Sequence, residues 1–125
     1  RAVERLRRVS LLDDRAFLHA FVRTELARRP QGRRLLVTKL KRRGVPAALL
    51  EELDDLLERD GDLADSRLAT EAERAALAAA ALRKRYVGRP EEERRRKLSQ
   101  ALLRRGFSWD TIRELVGEEP TEEST

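Results

Sequence analysis

Apolar residues return every three or four positions along nearly the whole chain, and the places where they stop returning divide it into helices. The opening RAVERLRRVSLL carries Val3, Leu6 and Val9 at helical spacing and reads as the end of a helix that begins upstream. In DDRAFLHAFVRTELARR, Asp13 or Asp14 is expected to cap a new helix, with Phe17, Ala20, Phe21 and Thr24 as its buried stripe. Pro30 and Gly32 punctuate its end. A helix over about Gln31 to Arg43 buries Leu36, Val37 and Leu40, and Gly44 closes it where a left-handed residue is needed. The next starts at Pro46, which has no amide hydrogen to lose in a first turn. It carries Leu49, Leu50, Leu53 and Leu57, and it ends at Asp60-Gly61.

The same order then begins again. An alanine-rich helix is expected from near Asp65 to Tyr86, Gly88 and Pro90 break the chain, and EEERRRKLSQALLRR forms a helix with acids at its start and arginines at its end. Gly106 closes that helix, Ser108 caps the short SWDTIRELV, and Gly117 ends it. A shift of 62 positions carries Arg33 to Arg95, Leu36 to Leu98, Leu40 to Leu102, Arg42 to Arg104, Arg43 to Arg105, Gly44 to Gly106, Val45 to Phe107 and Leu50 to Ile112. A smaller shift aligns Asp13 with Asp65 and Arg15 with Arg67. The expected fold is all-α: tandem three-helix repeats in an elongated, curved array. Residues 1–10 are read as the remnant of an upstream repeat, 11–60 as a central repeat, 61–117 as a C-terminal repeat and 118–125 as an acidic disordered tail.

Composition sharpens this picture. Charged residues make up 41% of the 125 positions, and the formal charge of +5 rises to +9 once Glu118, Glu119, Glu122 and Glu123 are set aside, which favours an anionic partner. Most of the cations are arginine, whose planar fork suits phosphate and carboxylate. With no cysteine, thiolate metal sites and disulfides are excluded, and a reducing cytoplasm fits. No apolar run approaches the roughly 20 residues needed to span a bilayer, so no membrane partner is expected.

Little in the chain suggests catalysis. The single histidine, His19, lies beside core positions of its helix and has no second histidine to complete a metal site. The carboxylates of EELDDLLERD lack the loop spacing of a calcium site. We therefore expect no enzyme, no metal and no cofactor. Helix, glycine turn, helix is also how a major-groove reader is built, but the helices after each turn carry Glu51, Glu52, Asp54, Asp55 and Glu58, or Asp110 and Glu114, which phosphates repel. The basic positions lie on the helices before the turns. At 100° per residue Arg34, Lys41 and Arg42 fall opposite Leu36, Val37 and Leu40, with Arg96 and Arg104 at matching places in the second unit. Only Tyr86, Phe107 and Trp109 are plausible rings for stacking bases, and Phe107 aligns with core Val45, so nucleic-acid contact should be chiefly to phosphates.

The stretch LLDDRAFLHAFVRTELARRPQGRRLLVTKLKRRGV, with its aspartate pair, Arg15, Phe17 and a Pro-x-Gly step into a basic helix, resembles the central signature of the RecX family. RRKLSQALLRRGFSWDTIRELV is similar to the C-terminal repeat of the same family, in which Arg-Arg-Gly-Phe is the most recognisable tetrapeptide. The resemblance implies strings of three-helix repeats, commonly three. It also implies a non-enzymatic regulator, usually an inhibitor, that lodges in the groove of the RecA–single-stranded DNA filament and so modulates DNA repair and recombination. Together with the charge pattern, it points to a binding strip of Arg33, Arg34, Lys41, Arg42 and Arg43 with Arg94, Arg95, Arg96, Arg104 and Arg105. The expected partners are the RecA filament and single-stranded DNA, met by a monomer. The alternative is a sequence-independent nucleic-acid-binding module with no recombinase partner.

Overall fold

A computed structural model describes the backbone of residues 2–117 and the side chains of residues 13–117. The expected acidic tail at 118–125, and the side chains of Val3, Leu6 and Val9, lie outside the described residues. Eight α-helices are described: α1 (Ala2–Arg28), α2 (Arg33–Arg42), α3 (Ala47–Leu50), α4 (Leu53–Arg59), α5 (Gly61–Asp65), α6 (Glu71–Arg83), α7 (Glu91–Arg104) and α8 (Trp109–Val116). A single 3-10 turn, Lys84–Tyr86, extends α6. The architecture is all-α, in tandem three-helix units.

Several boundaries differ from the sequence expectation. Asp13 and Asp14 do not cap a new helix, because α1 runs through them. No glycine or proline interrupts 2–28, and an interior aspartate costs only a few tenths of a kcal/mol, less than ending a helix and leaving its terminal backbone groups unpaired. The buried stripe of α1 is Leu18, Val22 and Leu26, rather than Phe17, Ala20, Phe21 and Thr24. The two phenylalanines flank that stripe and stack on each other, with ring centroids 5.7 Å apart. The third helix is divided at Glu51-Glu52 into α3 and α4, yet Leu49, Leu50, Leu53 and Leu57 all remain buried.

The alanine-rich helix begins at Glu71 and not near Asp65. Asp60 caps α5 instead, its carboxylate accepting from the amides of Asp62 and Leu63, and the chain then turns through Arg67 at a φ of 59°. Thr70 starts α6 with a capping box, in which its hydroxyl accepts from the Glu73 amide while the Glu73 carboxylate reaches back to the Thr70 amide. Asp13 and Arg15 therefore do not correspond to Asp65 and Arg67. By burial, Leu18, Val22 and Leu26 correspond to Arg74, Ala78 and Leu82. The later matches hold: Gly44 and Gly106 close α2 and α7 at φ of 85° and 89°, and Ser108 caps α8.

Each unit has its own core. Leu18, Val22, Leu26, Leu36, Leu40, Leu53 and Leu57 fill the first, to which α5 adds Leu63. Ala75, Ala78, Ala79, Leu82, Leu98, Leu102, Phe107 and Ile112 fill the second, where α6, α7 and α8 pack on one another. Alanines on α6 let α7 and α8 approach closely.

Backbone joins the units to each other. The Gly32 amide donates to the carbonyl of Arg105 at 2.9 Å, and the Arg34 amide donates to that of Gly106 at 3.2 Å. The two glycines are so close that a Cβ on Gly32 would lie 2.2 Å from the Gly106 oxygen. Gln31, 1% exposed, steadies this turn: its side-chain amide donates to the Glu25 carboxylate at 3.2 Å, and its side-chain oxygen accepts from Lys39 Nζ at 2.9 Å. Its main-chain carbonyl accepts from Nε of Arg74 at 2.9 Å. Arg74 is itself 1% exposed and also donates to the carbonyls of Leu68 and Ala69. Burial pulls its guanidinium below the usual arginine range, against the raising influence of Glu71, Asp54 and Glu73.

Candidate nucleic-acid interface

The helices before each glycine turn present their basic residues much as their periodicity predicts. Leu36 and Leu40 are buried and Val37 partly so, while Arg34, Lys41 and Arg42 are exposed; on α7, Arg96 and Arg104 are exposed opposite Leu98 and Leu102, and Arg94 is exposed on the side of Leu98. Not every expected cation is available to a ligand. Arg33 is tied to Asp54 on α4, with Nε 3.1 Å from the carboxylate, and its amide donates to Glu71. Arg43 lays its guanidinium 5.4 Å from the centre of the Phe21 ring. Arg96 lies within electrostatic reach of Glu93. Lys39 pairs with Glu25 at 3.2 Å and belongs to the junction.

Four arginines gather where the units meet. Arg29, just past α1, Arg85 in the 3-10 turn, and Arg104 and Arg105 at the end of α7 line one cleft of about 210 Å³, floored by Leu35, Leu82, Ala101 and Tyr86. None of these four arginines forms an ion pair with a carboxylate among the described residues. Burial, then the like charges of Arg29 and Arg85, pull the Arg105 guanidinium below its usual value, against a raising influence from Tyr86. The four sit near three helix C-termini, whose partial negative charge favours cations and makes the cluster tolerable.

A second, larger depression of about 540 Å³ adjoins the cleft through Tyr86, which lines both. Its walls include Arg83, Val87, Arg94, Arg95, Leu98 and Val116. The structure thus brings Arg104 and Arg105 together with Arg29 and Arg85, and Arg94 together with Arg95 and Arg83. It assigns Arg33 and Arg43 to intramolecular contacts.

Sequence reasoning missed Arg29, Arg83 and Arg85. The first lies just past a helix end, at a position the repeat alignment does not cover. The other two lie in RKRY, where three consecutive basic positions around the end of a helix were the available signal. His19 forms no ligand set: its Nε2 is 2.8 Å from Asp60, which it ties to α1 alongside Arg23. The acidic faces of α4 and α8 stay outward, with Glu51, Asp55, Glu58, Asp110 and Glu114 all exposed.

Residues 13–53 match the family domain described as RecX, second three-helix domain, and residues 70–116 match RecX, third three-helix domain. The Regulatory protein RecX of Chlorobium limicola is 37% identical over 106 residues, covering 85% of this chain and 59% of that protein. The Regulatory protein RecX of Pelodictyon phaeoclathratiforme is 34% identical over 110 residues, covering 88% and 61%. That of Prosthecochloris aestuarii is 34% identical over 119 residues, covering 94% and 70%. The chain therefore spans about three fifths of the length of the first two relatives. No solved structure matches it significantly.

Proposed function

The chain belongs to the RecX family, and from that membership we propose that it regulates the RecA recombinase, in the inhibitory sense, by binding in the groove of the RecA–single-stranded DNA filament. Binding without chemistry is enough for this role, since a wedge that fits the groove can slow filament growth or ATP turnover by occupancy alone. One observation carries the reading: exposed basic residues before each glycine turn, repeated in consecutive units, while the helices after the turns are acidic. A helical polyanion clad in protein offers a repeating surface for such a repeated strip.

Acids on α4 and α8 disfavour insertion of those helices into a duplex major groove, so DNA contact is to phosphates and without sequence preference. Arg34, Lys41, Arg42, Arg94, Arg95, Arg104 and Arg105 supply those contacts, and the protein acts as a monomer. The test adds the chain to RecA on single-stranded DNA at comparable concentrations and follows ATP hydrolysis and filament length. Unchanged hydrolysis and length sink the proposal. Co-sedimentation with bare and RecA-coated strands separates it from a nucleic-acid-binding module: equal affinity for the two would favour the module.

A further inference from the structure

The cleft between the units gathers features that suit an anion. Arg29 comes from the first unit and Arg85, Arg104 and Arg105 from the second, so like charges face one another across the seam that the Gly32 and Gly106 hydrogen bonds hold shut. No carboxylate among the described residues pairs with them, whereas Arg15 pairs with Glu52 at 3.1 Å and Arg89 with Glu93 at 2.6 Å. A seam under uncompensated repulsion is stabilised by whatever neutralises it.

We propose that this cleft is a binding site for one backbone phosphate of a single-stranded nucleic acid, and that occupancy tightens the junction between the two units. It deepens the phosphate-contact part of the reading above and rests on that part alone. Guanidinium groups from three directions suit the tetrahedral oxygens of a phosphate better than one planar carboxylate. Tyr86 decides for a nucleotide over an acidic protein segment. Tyr86 lines the cleft and also the adjoining depression with Arg83, Arg94 and Arg95, so a strand with one phosphate in the cleft would find an aromatic residue for a base and further arginines for the next phosphate. The ligand thus bridges the units and couples strand binding to the angle between them.

The test compares thermal unfolding in chloride and in inorganic phosphate at matched ionic strength, and titrates a labelled oligothymidylate. It uses the unaltered chain, Arg85→Gln, Arg105→Gln and, as a control on α4, Arg59→Gln. Phosphate is expected to raise the melting temperature saturably, and the shift should vanish in both cleft variants. Arg105→Gln alone should melt higher than the unaltered chain in chloride, because the repulsion is gone. Each cleft variant should bind the oligonucleotide about tenfold more weakly, the effect of one lost charge-assisted contact, and the control nearly normally.

Equal melting in phosphate and chloride overturns the proposal, as does unchanged oligonucleotide binding by both cleft variants. So does a polyglutamate that binds more tightly than the oligonucleotide, or a phosphate shift that the oligonucleotide cannot reproduce. Measuring RecA ATP hydrolysis in parallel separates the two readings. Regulation retained without the phosphate site counts against this inference, and a working phosphate site without regulation counts against the other.

Discussion

Replacing each of three glycines by alanine tests how the repeats are joined. Gly44 and Gly106 occupy the same place in their units, after an Arg-Arg pair, at nearly equal φ of 85° and 89°. Alanine pays about 1–2 kcal/mol for that conformation at either site. Around Gly44 nothing lies within 4 Å of an added Cβ, so the conformational cost is the whole effect. At Gly106 the same Cβ would stand 2.4 Å from Cβ of Leu35 and 2.5 Å from its amide nitrogen. Backbone cannot yield as a side-chain tip does, so the seam must open and surrender the Gly32-to-Arg105 and Arg34-to-Gly106 hydrogen bonds, each worth about 0.5–1.5 kcal/mol net.

Gly106→Ala should then cost about 2–5 kcal/mol against about 1–2 for Gly44→Ala. Gly32, at φ −82°, carries no strain, so Gly32→Ala isolates the seam at about 2 kcal/mol. The double variant Gly32→Ala/Gly106→Ala should fall well short of additive, because both substitutions open one contact. Urea unfolding followed by circular dichroism gives the energies, and hydrogen exchange at the Gly32 and Arg34 amides reports the seam itself. Gly106→Ala and Gly32→Ala should lose that protection while Gly44→Ala keeps it. Equal costs at Gly44 and Gly106, or a Gly32→Ala chain as stable as the parent, would refute the reasoning.

Arg74→Ala should destabilise by about 3–5 kcal/mol in urea unfolding, since the carbonyls of Gln31, Leu68 and Ala69 lose their donor inside the junction; a loss under about 1 kcal/mol contradicts this. The hydrogen bond from His19, supported by the amides of Leu63 and Asp62 and the charge of Arg23, outweighs burial and holds the Asp60 carboxyl below the usual aspartate range. Its contribution to stability is therefore complete above that range and disappears as pH falls through the lower folded-state value. Asp60→Ala should cost about 1–2 kcal/mol at neutral pH and leave a shallower acid limb, as urea midpoints between pH 7 and pH 2 would register. Thr70→Ala should cost about 1 kcal/mol by removing the cap of α6, and Thr70→Ser should restore most of it in the same assay. Strand binding should fall with the logarithm of salt concentration, and Arg104→Gln should lower that slope by about one.

The helical periodicity was legible wherever leucine carried it. Leu36, Leu40, Leu49, Leu50, Leu53 and Leu57 are buried as their spacing predicts, because a leucine on a charged helix has one apolar side to join. On α1 two apolar stripes compete, one through the phenylalanines and one through Leu18, Val22 and Leu26, and only the neighbouring helices decide which faces inward. The start of α6 was misplaced although ATEAE contains a capping box, because the alanine-rich pattern runs on across Ser66–Thr70 without losing its periodicity. Arg74 was illegible for a related reason. Its position corresponds to core Leu18, and nothing in AERAA distinguishes a guanidinium that spans a junction from one that faces water.

The same limit separates the two Arg-Arg-Gly turns, which look alike as sequence and differ as structure. Gly44 faces open space, and the arginine before it rests on Phe21. Gly106 is pressed against the preceding unit, and the arginine before it is driven into a cleft among three others. A repeat motif encodes its own helix and turn, but which copy becomes an interface depends on the unit that docks beside it. The Pro-x-Gly step at Pro30–Gly32 supplies that neighbour: its glycine admits the Gly106 backbone, and Arg29 just before it completes the charge cluster. The two halves of the resemblance thus meet at one place, where the close approach of two glycines determines which arginines are gathered.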